Sequence, residues 1–129
     1  MYVLIVDDDE GVRQMLVRLL TKHGHRTCTA SNGTDALIQM RIEQPDVVLL
    51  DIVMPGMSGL DVLQQKLLDA SIRPIPLIIM TGLAIEEVRA RSQKVTDMLH
   101  GALMLMGKDF GDGKKLNMAI KAVTGKNGH

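Results

Sequence analysis

Five short apolar runs punctuate the chain: Tyr2–Val6, the weaker Arg26–Ala30, Val47–Leu50, Pro76–Met80 and Ala102–Met106. VLIV and VVLL are continuous rather than alternating, the pattern of strands buried on both faces of a parallel sheet. Helical spacing fills the intervals. Val12, Met15, Leu16, Leu19 and Leu20 recur at i, i+3, i+4, i+7, i+8 and predict a helix ending near His23-Gly24. Ala36, Leu37 and Met40 predict a second, stopped before Pro45. Leu60, Leu63, Leu67 and Leu68 predict a third, opened by Ser58 with Asp61 three residues on as a capping box. A fourth pattern covers roughly Ile85 to Val95, and a fifth runs from about Lys114 to Val123, ending at Gly125.

Strand and helix alternating five times predict an α/β fold with right-handed crossovers. The architecture expected is a doubly wound five-stranded parallel sheet in the flavodoxin-like order 2-1-3-4-5, with helices on both faces. Residues 1–124 read as one domain and 125–129 as a flexible tail. No internal repeat, low-complexity tract or linker interrupts the pattern.

Composition narrows this picture. With 46% apolar and 23% charged residues among 129, the chain can bury a core without staples. Cys28 is alone, which excludes a disulfide scaffold, and it reads as a buried strand residue. There are ten methionines but only two aromatics, Tyr2 and Phe110, so the core is aliphatic and Met-rich. Met98, Met104 and Met106 read as adaptable core filling. No apolar run reaches the roughly 20 residues that span a bilayer, and MYVLIVDDDE has no basic leader. The expectation is a cytoplasmic protein without membrane insertion.

Net charge is zero, yet residues 1–61 carry nine acids and five bases, and residues 62–129 six acids and ten bases. Neither half has the concentrated basic face of a nucleic-acid binder, and the few rings leave little to stack bases on. His23, His25, His100 and His129 show no metal-ligand spacing and read as surface or turn residues.

The early acids are the informative feature. VLIV runs into Asp7-Asp8, and VVLL into Asp51. In an open doubly wound sheet, ligands sit beyond the carboxyl ends of the strands where strand order reverses. Strands 1 and 3 flank that reversal, so three carboxylates would converge at one mouth. Unpartnered they would repel and at least one pKa would rise. A hard divalent cation resolves the conflict, and Mg²⁺ suits a few carboxylates, water and phosphate oxygens. Thr81 ends the run PLIIM with a hydroxyl, and Lys108 follows ALMLMG with a cation. Together these groups supply what phosphoryl transfer needs: a nucleophilic oxygen, a divalent ion, a cation and a hydrogen-bond donor.

These residues resemble the receiver domain of two-component response regulators over nearly the whole chain. LIVDDDEGVRQML is similar to the family's first strand, acid pair and first helix. PDVVLLDIVMPGMSGLDVL resembles the phosphoacceptor strand, loop and third helix, with Asp51, Pro55 and Gly59 in D-x-x-x-P-x-x-x-G spacing. PLIIMTG and GKDF resemble the switch-Thr and Lys segments. The resemblance implies that Asp51 accepts a phosphoryl group from a sensor histidine kinase or phosphotransfer protein. It implies Mg²⁺ held by Asp8 directly, Asp7 largely through water, the Asp51 carboxylate and the backbone carbonyl of Val53. Thr81 and Lys108 would contact the phosphoryl group, while Asp9 and Glu10 would only start the helix. The protein would catalyse its own phosphorylation and slow dephosphorylation without being a dedicated enzyme. A change in the face formed by the fourth helix, fifth strand and fifth helix would signal to a partner, and a phosphorylation-dependent dimer is compatible with this scheme. Val53 and Leu83, apolar in slots that modulate water access in this family, imply a long-lived acyl phosphate.

Three departures fall on the output side. Lys108-Asp109-Phe110 replaces the usual Lys-Pro-Phe with its cis bond; cis without proline costs about 2.5–4 kcal/mol, which leaves a trans bond or a cis bond held by packing. Leu105 occupies the slot of the switching aromatic. Thr81 and Lys108 are 27 residues apart, about five more than the family pattern, and this assigns an insertion to residues 83–100. Two other readings stand beside the signalling switch. One is a non-catalytic interaction module on a receiver scaffold. The other is a haloacid-dehalogenase-type phosphatase in which Asp7 of Asp7-Asp8-Asp9 is the nucleophile.

Overall fold

A computed structural model describes residues 1–54, 56–82 and 104–125. Its strands are β1 (Tyr2–Val6), β2 (Arg26–Ala30), β3 (Val47–Asp51), β4 (Leu77–Thr81) and β5 (Met104–Gly107). Its helices are α1 (Glu10–Lys22), α2 (Gly33–Ile42), α3 (Gly59–Leu68) and α4 (Lys114–Thr124). Helix α4 corresponds to the fifth helical pattern of the sequence. The fourth pattern, the 83–100 insertion, Met98 and residues 126–129 of the tail lie outside the described residues.

The five strands are parallel in the order β2-β1-β3-β4-β5, as the alternation predicts. Alternate residues of β1, β3 and β4 feed different cores. Leu4, Val6, Val48, Leu50, Leu77 and Ile79 pack with α2 and α3, through Ala36, Leu37, Met40, Val62 and Leu63. Val3, Ile5, Val47, Leu49, Ile78 and Met80 pack with Leu16 and Leu20 of α1 and Leu116 and Ile120 of α4. The continuous apolar runs are thus explained by period-2 strands that have no wet face. Met104 and Met106 lie half-buried against the second core, which Phe110 also enters.

Local signals set the helix starts. Asp9 caps α1 by accepting from the Val12 amide at 3.1 Å. Asn32 caps α2 by accepting from the Asp35 amide, and Ser58 with Asp61 forms the expected capping box on α3. Each cap satisfies a donor that the helix leaves unpaired.

Three sequence expectations are corrected. The buried stripe of α3 is Gly59, Val62, Leu63 and Lys66, whereas Leu67 lies at the surface and Leu68 is 75% exposed. Lys66 takes the inward position because its stem is apolar and its ammonium donates to the Arg73 carbonyl at 2.7 Å; burial lowers its pKa. His25 is not a surface residue. Its ring is buried between the Met1 amino group, 3.1 Å from Nδ1, and the Asn117 Oδ1, 2.6 Å from Nε2. Cys28 is a strand residue but only half-buried, because β2 is the sheet edge; its Sγ lies 3.5 Å from Gln39 Oε1. Of the two alternatives left open for the Lys108–Asp109 bond, the structure has the trans one.

Candidate phosphoryl-transfer site

Parallel strands point every carboxyl end to one edge, and the candidate chemistry gathers there. Asp7 follows β1, Asp51 closes β3, Thr81 closes β4, and Lys108 follows β5. Register fixes the alignment: Asp51 pairs with Met80, and Thr81 pairs with Gly107. Thr81 and Lys108 are therefore each one step beyond a paired neighbour at the same mouth.

Lys108 Nζ lies 2.9 Å from Asp7 Oδ2 and 3.2 Å from Asp51 Oδ1. It bridges two carboxylates from adjacent strands. Asp7 is fully buried; its Oδ1 accepts from the Asp9 amide at 2.9 Å, and its backbone carbonyl accepts from Arg13 at 2.7 Å. Asp51 Oδ1 also accepts from the Val53 amide at 3.2 Å. Thr81 is buried, Asp8 is exposed, and Val53 turns its side chain outward at 59% exposure. Asp9 and Glu10 serve the start of α1, as expected.

Electrostatics show an undercompensated negative site. Burial, then the charge of Asp7, raises the Asp51 pKa above the usual carboxylate value, although Lys108 and the Val53 amide oppose the shift. Burial acts to lower the Lys108 pKa, but the hydrogen bond to Asp7 and the charges of Asp51 and Asp7 outweigh it, and the net shift is upward. One ammonium thus serves two buried carboxylates.

The residues fit a hard divalent cation. Oxygens of Asp7, Asp8 and Asp51 lie within 4.8 Å of one another. Asp7 Oδ2 is buried, and its only partner among the described residues is the Lys108 ammonium at 2.9 Å, which it shares with Asp51. Such an oxygen is costly to bury unless a cation meets it.

Two contributors were not legible in the sequence. Arg13, six residues after Asp7, holds the backbone that presents it, and the spacing carries no signal of this. Gly59 packs α3 directly on the end of β3: a Cβ there would collide with the Asp51 carbonyl oxygen and lie 2.7 Å from Ile52 Cα. Its place in the D-x-x-x-P-x-x-x-G spacing was visible, but not the close approach that requires it.

A doubly wound parallel sheet with an acidic cluster and a bridging lysine at its carboxyl edge defines an α/β domain whose candidate ligand site lies beyond the strand ends. The family profile of the response regulator receiver domain matches residues 3–120, and the chain belongs to that family. Sporulation initiation phosphotransferase F of Bacillus subtilis is 35% identical over 93% of this chain and 95% of its own length. Protein PilH of Pseudomonas aeruginosa is 47% identical over 61% of this chain and 65% of its own. The chain spans 46% of the probable transcriptional regulator ycf27 of Porphyra purpurea, at 36% identity over 94% of this chain. Among solved structures, the response regulator TrrA of Thermotoga maritima, in complex with Mg²⁺-BeF, superposes with TM-score 0.80 at 28% identity, covering 95% of this chain and 97% of that one. The chemotaxis protein CheY4 of Vibrio cholerae gives 0.81 at 25% identity over the same shares.

The haloacid-dehalogenase reading falls with this assignment. Asp7, which it would make the nucleophile, is wholly buried and held by the Asp9 amide and Lys108. No helix among the described residues is long and apolar enough to cross a membrane.

Proposed function

We propose that this receiver domain is a phosphoryl-accepting switch in which Asp51 takes the phosphoryl group from a phosphohistidine of a sensor histidine kinase or phosphotransfer protein. The observation that carries this reading is the asymmetric restraint on Asp51. Its Oδ1 is held by Lys108 and the Val53 amide, which leaves Oδ2 as the attacking oxygen. As the P–O bond forms, the P–N bond to the donor imidazole breaks, and the donor leaves as free histidine. Positioning and electrostatics supply most of the rate. Lys108 turns from carboxylate to phosphoryl oxygen, the Thr81 hydroxyl donates to a second oxygen, and water later hydrolyses the acyl phosphate slowly.

The carboxylates of Asp7, Asp8 and Asp51, with the Val53 backbone carbonyl, are the groups that would hold Mg²⁺. When bound, the ion neutralises charge on the transferring phosphoryl oxygens. The rest of the reading is a cytoplasmic regulator whose output runs through the face expected of the fourth helical pattern with β5 and α4, with pairing of two phosphorylated copies as one outcome.

Incubation with Mg²⁺ and a small acyl or amido phosphate tests it. Labelling should vanish in Asp51→Asn. Labelling retained in Asp51→Asn would overturn Asp51 as acceptor. Mg²⁺ binding without any label would instead favour a non-catalytic interaction module.

A further inference from the structure

We infer that the cleft between α1 and the edge strand β2 is a second binding site, for a small organic anion bearing a phosphate or carboxylate head. The cleft has a volume of about 480 Å³ and is lined by Glu10, Arg13, Gln14, Val17 and Arg18 of α1 and by Thr29 of β2. Its size suits a metabolite-scale ligand, since small-molecule sites run from about 300 to 1,000 Å³.

The α1 residues recur at i, i+3, i+4, i+7 and i+8, one continuous helix stripe. Leu16 and Leu20 point instead into the core, so the stripe is a second face of α1, turned to the sheet edge. A stripe at this spacing ordinarily carries apolar side chains, but here only Val17 does. Its net charge is +1, Arg13 and Arg18 against Glu10. Glu10, the only acid, accepts from the Gln14 amide at 3.2 Å. The Arg18 guanidinium makes no hydrogen bond or ion pair among the described residues, and the Arg13 guanidinium makes one hydrogen bond, to a neutral carbonyl. Two guanidiniums without a carboxylate partner, a threonine at the wall and one apolar contact recognise a multi-oxygen anion on a small body. The planar fork of arginine matches such a head group better than a point charge does.

The one bond that Arg13 makes gives the site a consequence. Its acceptor is the carbonyl of Asp7, the residue at the centre of the acidic pocket. An anion that draws on Arg13 changes the restraint on that backbone, so occupancy of the cleft and of the acidic pocket are linked, and the linkage is reciprocal.

The test is a titration of the ¹⁵N-labelled full chain, free of Mg²⁺ and at constant ionic strength, with inorganic phosphate and in parallel with succinate. Saturable shifts are expected at Arg13 and Arg18 Nε, at the Thr29 amide, and at the Asp8 amide that follows the Asp7 carbonyl. Arg18→Gln should weaken binding about tenfold or more, the loss of one charge-assisted hydrogen bond, and Arg18 has no partner among the described residues to lose. Whichever anion binds more tightly identifies the head group. Non-saturating shifts, shifts confined to Lys108 and Asp51, or unchanged affinity in Arg18→Gln would each overturn the proposal.

Discussion

The amide of Gly59 donates to the carbonyl of Ile52 at 3.1 Å, so the first residue of α3 sits on the chain just past the phosphoacceptor candidate Asp51. Only a hydrogen at the Cα of Gly59 permits that approach, because a methyl would strike the Asp51 carbonyl oxygen and crowd Ile52 Cα. The obstructing atoms are backbone and cannot rotate away.

Gly59→Ala should therefore cost about 3 kcal/mol, the upper end for overpacking, and shift Asp51 away from Lys108. Urea unfolding and Mg²⁺ titration would read both effects. Gly56→Ala is the control: its φ of +74° strains alanine by roughly 1–2 kcal/mol, but a Cβ there meets nothing within 4 Å. It should lower stability with a smaller loss of Mg²⁺ affinity.

The raised Asp51 pKa makes stability depend on pH in a defined direction. The folded state holds this proton more tightly than the unfolded chain does. Stability is therefore lost as pH rises from the ordinary carboxylate value through the folded value, and the penalty is constant above it. Without Mg²⁺, Asp51→Asn should be more stable than the natural chain at pH 7, with the advantage shrinking toward pH 4. Denaturant midpoints at both pH values measure this. Equal midpoints at pH 7 would contradict it.

Replacing the bridging ammonium separates its two roles. Lys108→Met leaves Asp7 and Asp51 without their shared cation, so phosphorylation by a small donor should slow roughly a hundredfold, as when one charged or hydrogen-bonding stabiliser is removed. Mg²⁺ affinity should not fall, because a competing positive charge has gone. Labelling rate and Mg²⁺ binding, measured on the same variant, check the two statements.

Val53 exposes its apolar side chain while its amide holds Asp51 Oδ1. Val53→Asn keeps that amide and adds a side chain able to hold a water near the acyl phosphate. Its half-life should shorten several-fold with little change in stability, followed by loss of label in Mg²⁺ buffer.

The buried ring of His25 joins the start of β2 to α4 through Asn117. His25→Phe removes that donor and leaves the half-buried Asn117 amide oxygen without it, at a cost of about 1 kcal/mol. The urea midpoint should drop while Asp51 labelling persists, since the ring lies away from the acidic mouth.

The sequence by itself determined the architecture and most of the site's membership. Apolar runs of the right length, helical spacing between them, and helix-start residues such as Asp9 and Ser58 are local signals, and local signals survive in one dimension. Acids at two strand ends became one cluster as soon as the strand order was inferred, because parallel strands align their carboxyl ends. What needed tertiary structure were facts about neighbours distant in the chain. Leucine spacing suggested Leu67 and Leu68 as the buried face of α3, but packing chose Val62 and Lys66, since a carbonyl from the following turn was in reach of the lysine. His25 looked like a turn residue because nothing near it in sequence shows that Asn117 faces it. Nothing in the sequence signals the role of Arg13, whose guanidinium the fold brings within 2.7 Å of the Asp7 carbonyl. Periodicity decides which face of an element can be apolar; only the three-dimensional neighbours decide which polar groups find partners inside.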